Sequence, residues 1–346
     1  MVLNPFAKKK SEYRVGIDIG TSSIKVVELL RQGNSAALNN YAQFFTKGEY
    51  MTTKPGSFNI LDSQIAEILK QTFQAANFNS RTAIVALPVF SSFSTLINLP
   101  SMSPEELEDA VKYEARKYIP VPISEVQFDW TQVAHLSTAD SLKILTVAVP
   151  NEIVEKYNRI AQAANVEFEN MELETFSSAR ALIKDESVPA AILDVGSRTT
   201  NISIIDQGIV VLHHNIDTGG FALTRILARG MAIDPKRAED IKINQGLESP
   251  DGQVSELLQP FIDKIILELE QAMEDYIREG GRRPASVILT GGGGKMPGLS
   301  GYIQDSINID TEYGDPFQKV QVPPPLQNIL QSTSSNFSVA VGLALR

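Results

Sequence analysis

The 346-residue chain has no cysteine. That excludes a disulfide framework and thiolate metal sites. Only three histidines are present, two of them adjacent (His213 and His214), too few for a histidine-rich metal centre. No run of roughly 18 apolar residues occurs, so no helix-type membrane span is expected. The opening stretch MVLNPFAKKKSEY carries its lysines directly into polar residues and does not read as a secretory signal. Its Phe6 beside Lys8, Lys9 and Lys10 suits either a contact with an anionic membrane or a solvated end; residues 1–12 are read as a tail of the second kind. Basic charge is in deficit, with 31 Lys and Arg against 41 Asp and Glu and a net charge of −10. A nucleic-acid-binding face is therefore not expected. The expected location is cytoplasmic.

What is there is ample core-forming material, 43% hydrophobic residues in a length suited to two medium domains. Two stretches repeat one pattern. VGIDIGTSSIKVV (15–27) runs from an apolar strand through Asp18 into a Gly-hydroxyl turn and out along a second apolar strand. ILDVGSRTTNISII (192–205) does the same around Asp194. A glycine-containing hairpin turn can aim backbone N–H groups at an anion. Gly20, Thr21, Ser22 and Ser23 in the first copy, and Gly196, Ser197, Thr199 and Thr200 in the second, supply such donors. A carboxylate beside a phosphate repels it unless a divalent cation lies between, and Mg²⁺ takes a carboxylate or two plus phosphate oxygens. The expectation is a clamp used twice: Asp18 and Asp194 face each other across a cleft and share the metal, with a nucleotide polyphosphate between them. A third glycine-rich stretch, LTGGGGKMPGL, stands between a predicted strand and a predicted helix, with Pro297 in the first helical turn. It matches neither the P-loop nor the dinucleotide fingerprint.

Periodicity organises the rest. Residues 13–90 read as three strands, a helix over DSQIAEILKQTFQAAN and a strand over TAIVALPVF, an α/β layer. Residues 91–140 read as an insert: strand TLINLP, a helix from Ser103, strand EVQFDWTQV. Ser103 as N-cap, Pro104 at the first helical position and Glu106 closing a capping box mark the start of that helix, and Pro120 and Pro122 its end. Residues 141–189 continue the first half: strand LKILTVAVP, helix NEIVEKYNRIAQAAN, strand VEFENMEL, helix ETFSSARALIK. The second half comprises 190–217, a helical region over 218–284 and a return over 285–335. A helix over about 254–278 carries an apolar stripe from Leu258 to Tyr276. PPPLQN reads as a surface loop, and 336–346 as a terminal helix.

The motifs in this order resemble the actin-like ATPase superfamily, which includes actin, Hsp70 chaperones, sugar kinases, FtsA and MreB. IDIGTSSIKVV is similar to its first phosphate motif, LDVGSRTTNISII to its second, VILTGGGGKMPGL to its adenosine motif, and MELETFSSARAL and SVAVGLALR to its connecting helices. The resemblance implies an actin-like fold of two related halves around a cleft for ATP and Mg²⁺. It implies phosphate contact by Lys25 and an acid at Glu174 that orients water in at most a slow ATPase. It also implies contact with ribose and base by Glu239 and Lys242 in PKRAEDIK, and nucleotide contacts from Gly219, Gly220, Gly291, Gly292, Gly293 and Lys295. The inserted subdomain resembles that of FtsA-like proteins. Together with NPFAKKK and ARKYIPVPISEVQFDW it is similar to the PilM family of type IV pilus assembly. That likeness implies an adaptor, in a pilus or related type II secretion platform, that captures the short cytoplasmic N-terminus of a PilN-like single-span inner-membrane protein. Pilus assembly ATPases are further candidate partners, and contact with the membrane would be indirect, through the partner. The docking edge is expected at Tyr113, Arg116 and Pro120, where aromatic, basic and proline residues meet. A filament-forming ATPase of FtsA or MreB type and a small-molecule kinase remain the alternatives.

Overall fold

A computed structural model describes residues 12–33, 35–46, 61–250 and 252–346. The basic tail therefore lies outside the described residues, apart from Glu12.

The first half is built on a meander of β1 (Tyr13–Ile19), β2 (Ser23–Gln32) and β3 (Ser35–Phe45). β4 (Thr82–Leu87) and β8 (Glu167–Leu173) add in parallel on the other side of β1, giving the order β3-β2-β1-β4-β8. The second half repeats this plan. β9 (Ala190–Val195), β10 (Thr200–Asp206) and β11 (Ile209–Ile216) form the meander, and β12 (Ser286–Thr290) and β13 (Asp310–Tyr313) the parallel side, in the order β11-β10-β9-β12-β13. Parallel strands joined through helices must be buried on both faces, and the central runs GIDI, VVEL, AIVAL and AAIL consist largely of small and branched apolar residues.

Helices cover both sheets. In the first half α1 (Asp62–Ala75) and α3 (Asn151–Ala164) send Leu69, Phe73, Tyr157 and Ile160 onto Val15, Ile17 and Val85. In the second, α5 (Gly220–Gly230), α6 (Pro235–Asn244), α7 (Gln253–Arg278) and α8 (Leu299–Ile307) cover one face. The stripe expected on α7 is buried as read, from Leu258 through Ile262, Ile265, Ile266, Leu269 and Met273 to Tyr276. Each fully buried side chain of this kind contributes about 1.5–3 kcal/mol relative to exposure.

Two helices join the halves: α4 (Glu174–Leu182) and the terminal α10 (Ser338–Ala344). They approach so closely that a Cβ added at Gly342 would lie 1.8 Å from the Ser177 carbonyl oxygen. Residues of α4 and α10 share one core with Val27 and Leu29 of the first sheet and Ile192 and Ile288 of the second.

The third sheet is antiparallel, with β7 (Ser141–Pro150) between β5 (Phe93–Pro100) and β6 (Val126–Gln132). This corrects the border read at 140, because β7 is the central strand of the insert and pairs with β5 and β6 along its length. Apolar alternation in β7 fits either sheet; only its partners decide. One face packs under α2 (Pro104–Ala115) through Ile97, Leu107, Val111 and Ile144. Leu145, with Val133 and Leu136 just after β6, joins the second-half core. The insert therefore packs on both halves, since Val147 and Val149 of β7 belong with the first-half core.

Three local readings are corrected, and one strand is added. α2 ends at Ala115 in a turn, before its prolines are reached. PPPLQN opens a helix, α9 (Pro324–Thr333), because prolines suit its first turn. β13 fits a strand too short to show a period. The glycine stretch and Pro297 precede α8, which starts at Leu299, so the glycines form turns apart from its N-terminus.

Candidate functional site

The two hairpin turns open onto one cleft of about 590 Å³ between the halves. Each Asp comes at or near the end of the first strand of its meander. In the first hairpin Asp18 lies opposite Lys25 in the β1–β2 register. The pair is closed by an ion pair of 2.8 Å, with both side chains largely buried. The turn is tied by the Gly20 N–H donating to the Ser23 carbonyl at 3.1 Å. In the second hairpin the equivalent tie is Gly196 N–H to the Thr199 carbonyl at 3.0 Å. The residue opposite Asp194 is Asn201 rather than a lysine. Burial raises the Asp194 carboxyl to about 6; Lys25 acts against the shift and Asp18 adds to it.

Glu174, at the start of α4, lies between the hairpins. Its Oε1 accepts from Asn201 Nδ2 at 2.9 Å and from the Val89 N–H at 3.2 Å. Burial, reinforced by Asp194 and then Asp18, pushes its carboxyl up to about 8. Tyr157 of α3 borders the same acids, and burial raises its hydroxyl as well. Asp18 thus helps to raise both Asp194 and Glu174, while Lys25 opposes the shift at Asp194. Among the described residues no three acidic or histidine side chains gather tightly enough to hold a metal by themselves. The donor set suits a cation that takes one or two carboxylates and draws its remaining oxygens from a ligand or water, which is how Mg²⁺ is held.

The far end of the cleft is made by α5, α6 and the glycine turns. Lys242 is buried, and its ammonium donates to the Gly220 carbonyl (2.9 Å), Thr224 Oγ1 (2.8 Å) and Glu239 Oε2 (2.7 Å). Burial pulls its pKa down while Glu239 opposes the shift. The N-terminus of α5 is sewn to the second hairpin, Gly220 N–H to the Gly196 carbonyl and Phe221 N–H to the Ser197 carbonyl. Gly291 has φ +79°, and a Cβ there would fall 2.2 Å from Asp194 Oδ1. The glycine turn and the second carboxylate are in direct contact for that reason.

Of the residues expected from sequence, the cleft wall includes Asp18, Gly20, Thr21, Ser22, Ser23, Lys25, Glu174, Asp194, Gly196, Ser197, Thr199, Gly220, Glu239, Lys242, Gly291, Gly292 and Gly293. Three expectations are corrected. Thr200 is fully buried and spends its hydroxyl on the Thr218 carbonyl at 2.7 Å. Gly219 lies behind the turn, where a Cβ would meet the backbone of Ser197 and Arg198 at 2.8 and 2.7 Å. Lys295 follows the glycine turns outside the cleft lining. Sequence reading missed Asn201, Arg198, Tyr157, Phe90 and Asn336, all on the cleft wall. Asn201 and Arg198 were within reach, because they fall inside the second motif; the others come from elements remote in sequence.

Comparison with known proteins bears on this geometry. A family model described as type IV pilus assembly protein PilM matches residues 16–346. The chain belongs to the PilM family. Among curated proteins it is similar to the cell division protein FtsA of Bacillus subtilis, 23% identical, over 88% of this chain and 79% of that one. FtsA of Streptococcus pneumoniae is 20% identical, over 85% and 73%. A solved PilM-PilN type IV pilus biogenesis complex includes a chain 24% identical with TM-score 0.80, covering 98% of this chain and 99% of that one. MreB 5 of Spiroplasma citri bound to AMPPNP is 14% identical with TM-score 0.54, covering 96% and 95%. At these identities the structural likenesses speak for the fold, which is that of the actin-like ATPases.

The docking edge expected from the sequence lies on the surface of the insert. Tyr113 is 68% exposed on α2, and Arg116 and Pro120 are exposed just beyond it. None of the three lines the cleft or the groove beside the insert. The neighbouring Tyr118 and Ile119 do: with Phe93 and Thr95 of β5 they form one wall of a groove of about 520 Å³, and His213 and Asp217 lie on the opposite wall. Among the described residues no helix is long and apolar enough to cross a membrane.

Proposed function

We propose that the cleft binds ATP with Mg²⁺, and that the chain is a cytoplasmic nucleotide-binding adaptor of a type IV pilus or related secretion platform. The carrying observation is convergence. Two hairpin turns, Lys25, the carboxylates Asp18 and Asp194 and a glycine turn all open on a single cleft between repeated halves. Turn N–H groups and Lys25 would hold the phosphates; Asp18 and Asp194 would share the cation; Glu239, Lys242 and the glycine turn would receive ribose and base. Mg²⁺ would supply charge neutralisation between carboxylates and phosphates. Glu174, its carboxyl pushed up to about 8 by burial, accepts from Val89 and Asn201 through Oε1 and, once deprotonated, would orient water in an ATPase that is at most slow.

The partner in this reading is the cytoplasmic N-terminal peptide of a PilN-like inner-membrane protein, seated between the insert and the first half. That peptide would recruit the chain to the cytoplasmic face of the membrane. Support comes from family membership and from the PilM-PilN complex among the structural neighbours. The test is calorimetry of Mg-ATP and of the N-terminal peptide, each alone and each in the presence of the other. Heat from neither ligand would overturn the reading. If the sites are coupled, each ligand must tighten the other by the same factor.

A further inference from the structure

The cleft and the groove under the insert are two cavities, and they share a wall. Both are lined by Phe90 and Arg198. Phe90 follows β4 in the short turn leading into the insert; Arg198 is the central residue of the second hairpin turn. The Arg198 guanidinium stands over the Phe90 ring, 5.2 Å from its centroid. The backbone of this turn is fixed, since its Gly196 and Ser197 carbonyls accept from the start of α5 and Gly219 leaves no room behind it. The Arg198 side chain is different: it is exposed and held on the ring by a cation–π contact.

We infer that Arg198 couples the two cavities by choosing between the Phe90 ring and an anion in the cleft. In one state, the one seen, the guanidinium lies on the ring at the wall common to cleft and groove. A polyphosphate in the cleft offers a full negative charge in place of the ring's quadrupole, and charge-assisted pairing with a planar guanidinium is the stronger bond. Arg198 then swings into the cleft, Phe90 loses its cover and the groove wall next to β5 changes shape. A ligand can shift an equilibrium only through its differential contact with the two states, and here the difference is one cation. The inference rests on the proposal that the cleft takes Mg-ATP, and it names the residue through which occupancy would reach the groove between the insert and the second half.

The absence of cysteine allows a direct test. Thr95→Cys places a single thiol on the groove wall and leaves intact the backbone carbonyl that accepts from Thr146. Labelled with an environment-sensitive fluorophore, this protein should shift its emission on titration with Mg-ATP, with the same midpoint as calorimetry gives. In Phe90→Leu, which keeps bulk but removes the ring face, and in Arg198→Lys, which keeps charge but loses the planar group, the shift at saturating Mg-ATP should fall at least twofold. Full amplitude in either variant overturns the inference. So does loss of nucleotide binding in both, because the pair would then belong to the cleft alone. Mg-ATP binding to the labelled parent without an emission change overturns the inference and leaves the cleft reading standing. A parent that binds no Mg-ATP overturns both.

Discussion

The two halves have the same strand order, the same hairpin and an Asp at the same place, yet the two Asp residues live differently. Opposite Asp18 is Lys25; opposite Asp194 is Asn201. The first carboxylate is neutralised within its own hairpin at 2.8 Å. The second is part-buried with an amide across from it, its carboxyl raised to about 6, and its neighbour Asn201 turns away to serve Glu174. Duplication therefore supplied two equal scaffolds, and one cross-strand position made them unequal. The first half brings the cation that an anionic ligand needs, and the second half brings the carboxylate that a metal needs.

The largest test of that difference is the response to Mg-ATP. A ligand that binds only the folded state stabilises it by about 2.7 kcal/mol at a hundredfold excess over Kd. Asp18→Asn and Asp194→Asn should each abolish most of the resulting rise in Tm. A rise as large as in the parent for either variant would remove that carboxylate from the site.

The same pair should behave oppositely without nucleotide. Asp18→Asn leaves Lys25 largely buried without its ion-pair partner, a loss on the order of 1–3 kcal/mol. Asp194→Asn removes a carboxylate that burial already disfavours, so its Tm should stay level or rise. Equal losses in the two variants, read by denaturant unfolding, would mean that the halves are electrostatically alike after all.

Glu174 bonds to the second hairpin through Asn201, feels the charge of both Asp residues and carries the pH dependence. The unfolded chain releases its proton near 4.5, the folded one near 8. Between those values the folded state holds the extra proton, so this residue's contribution is complete at low pH and is lost as pH rises through 8. Glu174→Gln keeps an acceptor for Val89 and Asn201 and has no such titration. Its Tm should exceed that of the parent by more at pH 8 than at pH 5, both without nucleotide. An identical pH slope in the two proteins would count against a buried neutral acid.

Smallest are two surface comparisons. A Cβ at Gly292 meets nothing closer than Asn336 Oδ1 at 3.5 Å, while one at Gly293 falls 2.6 Å from Val195 Cγ1. Gly292→Val should fold with a normal melt and lose nucleotide, whereas Gly293→Val should also lose stability. On the insert, Tyr113→Ala and Arg116→Ala should change stability by less than about 0.5 kcal/mol, as exposed positions do. Comparing their peptide affinity with that of Tyr118→Ala would decide whether the exposed face of α2 or the groove beside it is the docking edge.

Much of this was legible along the chain because it rests on neighbours in sequence. Strand, Asp, glycine turn and strand specify a hairpin from residues within a dozen positions, and two copies specify a pair of clamps. The Ser103–Glu106 capping box starts α2 as read, and the apolar period of α7 buries the face it names. Other features depend on which distant element arrives beside which. β7 could satisfy its alternation in either sheet, and pairing with β5 and β6 decided. Thr200 carries the same hydroxyl as Thr199, but the strand pleat turns one inward and leaves the other on the cleft. Tyr157, Phe90 and Asn336 reach the site only through packing of α3, the insert and the terminal segment. Local hydrogen bonding and side-chain period are written in consecutive residues; burial, charge coupling and the sharing of Arg198 between two cavities are set by side chains that meet only when the halves close on one another.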